Sequence, residues 1–120
     1  MSIDVNIEKV LGDFCLETKF IAGNGITAIF GPSGAGKSTL VNLIAGLMKP
    51  NDGYIKIFNE LIFDSEQKIN VPVNRRGIGF VFQDARLFPH MKVEANLKYS
   101  HRFGRMGQID SFTEIVKVLN

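Results

Sequence analysis

The decapeptide "GPSGAGKSTL" (31–40) follows directly on the apolar run "ITAIF" (26–30). It sets glycines at 31, 34 and 36 ahead of Lys37, Ser38 and Thr39. Gly31, Gly36, Lys37 and Ser38 satisfy the spacing G-x-x-x-x-G-K-[ST], whose chemistry is the holding of a polyphosphate. Glycines allow backbone torsions that a side chain would obstruct, so successive N–H groups can turn inward around phosphate oxygens. Lys37 supplies a mobile positive charge for the terminal phosphates, and a helix starting at Gly36 adds unpaired amides and its positive dipole end. Ser38 is placed to hold Mg²⁺ by its hydroxyl. Thr39 is placed to donate to the phosphate nearest the sugar. An ordinary glycine-rich turn would not explain Lys37 and Ser38 at these offsets.

The elements that must position this loop can be read outward from it. Residues 26–30 are nearly all apolar, which predicts a strand buried on both faces. From Gly36 the period changes: Leu40, Leu43, Ile44 and Leu47 fall at helical spacing, which predicts a helix over 36–48, closed by Pro50 and the turn Asn51-Asp52-Gly53. Upstream, "IDVNI" alternates as a half-buried strand does, and "CLETKF" pairs with it as a hairpin through Gly12-Asp13. "YIKIF" and "LIF" read as short strands about an Asn59-Glu60 turn. After a polar loop over 64–76, "GIGFVF" predicts another buried strand with Gln83 at its end, where open α/β sheets place functional residues. "VEANLKY" (93–99) predicts a short helix. A last helix begins at the capping box Ser111-x-x-Glu114, with Phe112, Ile115, Val116 and Leu119 as its apolar stripe.

Composition narrows the setting. The chain has 120 residues, 45% hydrophobic, with a net charge of +2. That length suits one domain. Arg75-Arg76 and "KYSHRFGR" (98–105) are short basic clusters that read as solvated faces, and basic residues with interleaved aromatics do not recur along any element, so no nucleic-acid partner is expected. Cys15 has no second cysteine to pair with, which suits a reducing compartment, and it reads as a small buried hydrophobe. No apolar run approaches the roughly 18 residues needed to cross a bilayer, and the acidic N-terminus does not resemble a signal peptide. A cytoplasmic location is expected, with any membrane connection made through a partner. "LIFDSE" (61–66) reads as a hairpin turn and not as a metal site.

The phosphate-loop pattern is shared with nucleotide kinases, and the flanks separate the possibilities. "LIAGLMKPNDGYIKI" (43–57) and "RRGIGFVFQDARLFPHMKVEANL" (75–97) resemble the stretches after the phosphate loop and around the defining glutamine of the Q-loop in ABC transporter ATPases. Within that family, Asp84-Ala85-Arg86-Leu87-Phe88-Pro89-His90 is most similar to the ATP-binding subunits of molybdate importers. Sulfate, iron, polyamine and sugar importers share part of the run and remain alternatives. A nucleotide kinase is a more distant one.

The resemblance implies an α/β fold, the N-terminal half of a P-loop NTPase. That half has an antiparallel β portion, a phosphate-loop strand–helix unit and a Q-loop strand. It implies that Gly31-Pro32-Ser33-Gly34-Ala35-Gly36-Lys37-Ser38-Thr39 hold the phosphates of ATP. Ser38 and Gln83 would serve Mg²⁺. Gln83 would also position the attacking water and, with Lys37, take part in hydrolysis. Residues 84–97 would meet a membrane permease on the inner face of the cell membrane, and a second ATPase subunit would complete a homodimer. The family's adenine-stacking aromatic would fall near Leu11-Gly12; Phe14 is close, but its offset better suits the following strand, so stacking stays unassigned. These residues contain no LSGGQ-type segment, no apolar run ending in Asp-Glu and no switch histidine. Residues 1–120 are therefore expected to be the first part of a single ATP-binding domain, unable to hydrolyse ATP usefully alone and carrying an unpaired apolar edge at 26–30. A non-catalytic nucleotide-binding fragment is the alternative.

Overall fold

The computed structural model describes residues 2–84 and 86–103, which fall into two units divided between Phe80 and Val81. In the first, Ile3–Leu11 (β1) and Phe14–Ala22 (β2) form an antiparallel hairpin closed by Gly12-Asp13. Gly12 takes a φ of +58°, the left-handed conformation that two-residue hairpin turns require. Lys37–Ala45 follows as α1, then Asp52–Ile57 (β3), Glu60–Asp64 (β4), Ile69–Asn70 (β5) and a 3₁₀ turn over Val73–Arg75. The five strands form one antiparallel sheet in the order β2-β1-β3-β4-β5.

Register explains the core. Ile3, Val5 and Ile7 of β1 stand opposite Ile57, Ile55 and Gly53 of β3, so the inward apolar positions of both strands coincide. Val5, Ile7, Ile55 and Ile57 are buried together with Leu40 and Leu43 of α1, which lays its apolar stripe on that face. On β4 the register shifts opposite Ile55 and Lys56, skipping Ile62. This bulge lets the consecutive residues Ile62 and Phe63 both enter the core. The β3–β4 turn centres on Phe58 and Asn59, both at positive φ, one residue earlier than the composition suggested. Gly53 is required where β3 meets β1: its φ is +101°, and a Cβ there would lie 1.9 Å from the Asn6 carbonyl oxygen.

Three sequence expectations need correcting. Neither 26–30 nor 77–82 forms a strand. Ile26 and Phe30 are almost fully exposed, as is Val81. An apolar strand buried on both faces needs hydrogen-bonded neighbours on both edges and cover on both sides. The sheet present is antiparallel and built from other segments, and the two runs do not join it. The helix is also shorter than 36–48: it ends at Ala45 because Gly46, at φ +85°, turns left-handed and its N–H caps the carbonyls of Asn42 and Leu43.

Two single residues bring further corrections. Arg76 is buried, because its guanidinium finds carbonyl partners on α1 and after β5. Cys15 is exposed, because strand alternation gives the inward place to its neighbour Leu16. Asp64 accepts hydrogen bonds from the amides of Glu66 (2.8 Å) and Gln67 (3.1 Å), as the hairpin-turn reading of "LIFDSE" implies.

The second unit contains α2, Val93–Phe103, preceded by the loop that holds Pro89. Asn96 organises this loop with one side chain. Its Oδ1 accepts from the Phe88 amide (2.8 Å), and its Nδ2 donates to the carbonyls of Met91 (3.1 Å) and Lys92 (3.0 Å). The helix expected after Ser111 lies outside the described residues. Among the described residues no helix is long and apolar enough to cross a membrane.

Candidate phosphate-binding site

The loop 31–36 is shaped by its own backbone. The Ala35 amide closes a turn onto the Pro32 carbonyl (3.2 Å), and Gly34 and Gly36 take φ values of +81° and +93°. At Gly31 space is tight: a Cβ there would sit 3.2 Å from that of Ala35. Gly36 is the N-cap of α1 and offers no side-chain cap, and the first turn carries no acidic residue. The first hydrogen bond back to the cap runs from the Leu40 amide to the Gly36 carbonyl (2.9 Å). The amides before Leu40 thus face outward at the positive end of the helix dipole, the arrangement that receives an anion.

Lys37 closes over the loop. Its Nζ donates to the carbonyls of Gly31 (2.5 Å) and Pro32 (2.7 Å), which holds the ammonium at the rim. Ser33, Gly34, Gly36, Lys37, Ser38 and Thr39 line a cavity of about 290 Å³ together with Phe14. The glycine loop, the lysine and the two hydroxyls singled out from sequence are therefore brought to one place. Ser38 presents an exposed hydroxyl there, a hard oxygen donor of the kind Mg²⁺ takes.

Phe14 is the residue that sequence reasoning left unassigned. It is the first residue of β2, opposite Leu11 across the hairpin, and its ring edge would lie 3.2 Å from a Cβ on Gly36. The signal that could have found it is its parity with Leu16: both belong to the strand face turned toward the loop.

Gln83 belongs to the second unit, in a bend after the irregular segment 77–82, with an exposed side chain. In the same unit Arg86 pairs with Asp84 (3.2 Å) and lies over the Phe82 ring (4.5 Å to the centroid). Leu87 and Phe88 are exposed and not core residues, Leu87 at 70%. Phe88 packs on Tyr99, ring centroids 4.5 Å apart, and edge-on to His90.

On the outer face of β1 and β2, Glu8, Cys15 and Glu17 bring their ligand atoms within 4.8 Å of one another. Desolvation, followed by the charges of Glu8 and Glu17, raises the Cys15 thiol above its ordinary pKa, which disfavours the thiolate.

A family model described as "ABC transporter" matches residues 19–120. The chain is similar to the molybdenum import ATP-binding protein ModC of Mesorhizobium japonicum, 52% identical over 103 residues, covering 86% of this chain and 28% of the relative. It is 50% identical over 117 residues to ModC of Aliivibrio fischeri, covering 97% of this chain and 31% of the relative. It is 44% identical to ModC of Brucella abortus, covering 98% of this chain and 33% of the relative. A solved ATP-binding cassette, a dimer in a post-hydrolysis state bound to ADP and Pi, superposes with a TM-score of 0.64 at 27% identity, covering 99% of this chain and 54% of that one. The chain thus spans a third or less of the length of these curated relatives.

Proposed function

The chain belongs to the ABC transporter family, and from that premise we propose that it carries the ATP-binding loop of an importer ATPase for molybdate or a related oxyanion. The observation that carries this reading is the cradle at 31–39. Two left-handed glycines, an uncapped helix start and the Lys37 ammonium converge on one cavity that holds no acidic side chain. Such a site favours a polyphosphate over a neutral ligand through fixed amide dipoles and one mobile charge.

In this reading the amides of the loop and of the first turn of α1 bind the phosphates, and Lys37 exchanges its loop carbonyls for the terminal phosphate oxygens. Thr39 donates to the phosphate nearest the sugar. Phe14 offers its ring to the base or sugar end of the nucleotide. Ser38 would hold Mg²⁺, and the ion would supply neutralisation of charge on the outer phosphates. In the complete protein Gln83 orients water for hydrolysis, a second copy faces the cradle, and the exposed residues Leu87 and Phe88 meet a permease. The identity to molybdenum importers supports the choice of cargo.

The test is calorimetric titration of the complete protein with Mg·ATP. Wild type should bind, and Lys37→Ala should lose at least tenfold in affinity, the equivalent of about 1.4 kcal/mol for one charge-assisted contact. Equal affinity in the two proteins, or no binding by folded wild type, overturns the reading.

A further inference from the structure

Arg76 is the one buried charged side chain among the described residues, 7% exposed. Its partners are neutral oxygens. Nε donates to the Val71 carbonyl (2.8 Å), Nη2 to Asn70 Oδ1 (2.9 Å), and Nη1 to the carbonyls of Leu43 (3.3 Å) and Ile44 (3.0 Å). A buried cation without a carboxylate is costly, and what offsets the cost is the set of oxygens it satisfies, which an apolar side chain would leave without a donor. What the guanidinium alone provides is a planar fork that grips the last turn of α1 and the end of β5 together.

The rest of the neighbourhood is built around that grip. α1 has no basic residue in its own last turn, so Arg76 supplies the positive charge that its C-terminal dipole end favours. Gly46 clears the seat: a Cβ there would lie 2.6 Å from Arg76 Nε and 2.7 Å from Cζ. Immediately beyond Arg76, Gly77 turns at φ +67° and Ile78 packs against the core. The same stretch of chain then runs to Gln83. One end of α1 is thus the phosphate cradle, and the other is held by the residue that opens the segment 77–83.

We propose that Arg76 is a positioning residue that couples α1 to the segment 77–83, passing a nucleotide-induced shift of the helix to the chain that carries Gln83. This rests on the reading of 31–39 as a nucleotide site. A nine-residue helix moves as a rigid element, and a side chain bonded to its terminal carbonyls follows it.

The experiment is hydrogen exchange on the complete protein, with and without Mg·ATP, in wild type, Arg76→Lys and Arg76→Met, with nucleotide affinity measured in parallel. In wild type, exchange at amides 77–83 should slow by about fivefold or more on nucleotide binding, the low end of ordinary site-to-site coupling. In Arg76→Lys, which keeps the charge but loses the fork, the slowing should fall below about twofold while affinity for Mg·ATP stays within about threefold, since coupling and binding are separable quantities. Arg76→Met should behave as Arg76→Lys does, because the fork and not the charge carries the effect. The proposal is overturned if 77–83 respond equally in wild type and Arg76→Lys, or if wild type binds nucleotide with no response there. It is also overturned if both variants lose affinity and response in proportion, the mark of a purely structural role. Failure of wild type to bind Mg·ATP at all would strike the nucleotide reading itself, and that outcome is read directly from the affinity arm.

Discussion

The cradle permits a comparison between two glycines that differ in one respect. Gly34 and Gly36 both hold left-handed backbone, φ +81° and +93°. A Cβ on Gly34 meets nothing within 4 Å, whereas one on Gly36 meets Phe14 Cζ and Leu16 Cδ1, each at 3.2 Å. An L side chain in this conformation costs roughly 1–2 kcal/mol. The loop is exposed, so the chain can relieve that strain by leaving the cradle conformation locally. The cost then appears as a smaller binding-competent fraction, a loss in nucleotide affinity of roughly five- to thirtyfold.

Gly34→Ala should show only that loss. Gly36→Ala should show more, because the Phe14 ring and Leu16 must also give by a few tenths of an ångström at the wall of the cavity. The assay is Mg·ATP affinity of the complete protein in a double-mutant cycle of Gly36→Ala with Phe14→Ala. Phe14→Ala alone should weaken binding, and in the Gly36→Ala background it should cost markedly less, since the ring is already displaced. Equal losses for the two glycine variants, together with strict additivity for Phe14, would refute the placement of that ring against the phosphate loop.

Other expectations follow from single contacts. Gly53→Ala should remove most of the stability of the sheet: a Cβ 1.9 Å from a backbone oxygen at φ +101° belongs to the severe tail of substitutions, about 4 kcal/mol or more, visible as loss of a cooperative thermal melt. Asp52 has its pKa lowered first by the Ser65 hydroxyl and then by the Gly53 amide. A carboxylate depressed in the folded state stabilises fully above its ordinary value of 3.8 and loses that contribution as pH falls from there through the lower folded value. Ser65→Ala should therefore lower stability most in the neutral region, where the contribution is fully present, and flatten the acid limb below about pH 4 so that the two proteins converge there, as denaturant melts at stepped pH would show. Asn96→Ala removes bonds worth about 1 kcal/mol each from the 88–92 loop, so the Phe88 amide should exchange faster while α2 amides beyond the first turn stay protected.

How much of this was legible depends on how far each signal reaches along the chain. The β1–β2 hairpin, α1 and the cradle are local: a two-residue turn, a 3.6-residue period and a ten-residue loop declare themselves within their own length. The fold class and the place of the chain in its family followed from these and from the flanking stretches. Cys15 failed for a local reason, because composition ranks cysteine as buried while alternation with Leu16 sends it outward.

The deeper misses share a different cause. Apolarity in 26–30 reports that the segment favours burial; Ile26 and Phe30 stand exposed, as expected of an unpaired edge, but without neighbours the segment does not form the expected strand. Arg76 is the converse. A charge reads as solvent-facing because burying it is costly, and what offsets that cost is a pair of helix-end carbonyls more than thirty residues away in sequence, at Leu43 and Ile44. Helix ends leave such carbonyls unpaired whatever the local sequence, and here Gly46 can cap only some of them. The demand for a donor is thus written into α1, and the donor arrives from the residue that begins the run toward Gln83. A lysine placed in the last turn of α1 together with Arg76→Met would meet the electrostatic demand while leaving the 77–83 segment unheld, which is why stability and coupling should part at this position.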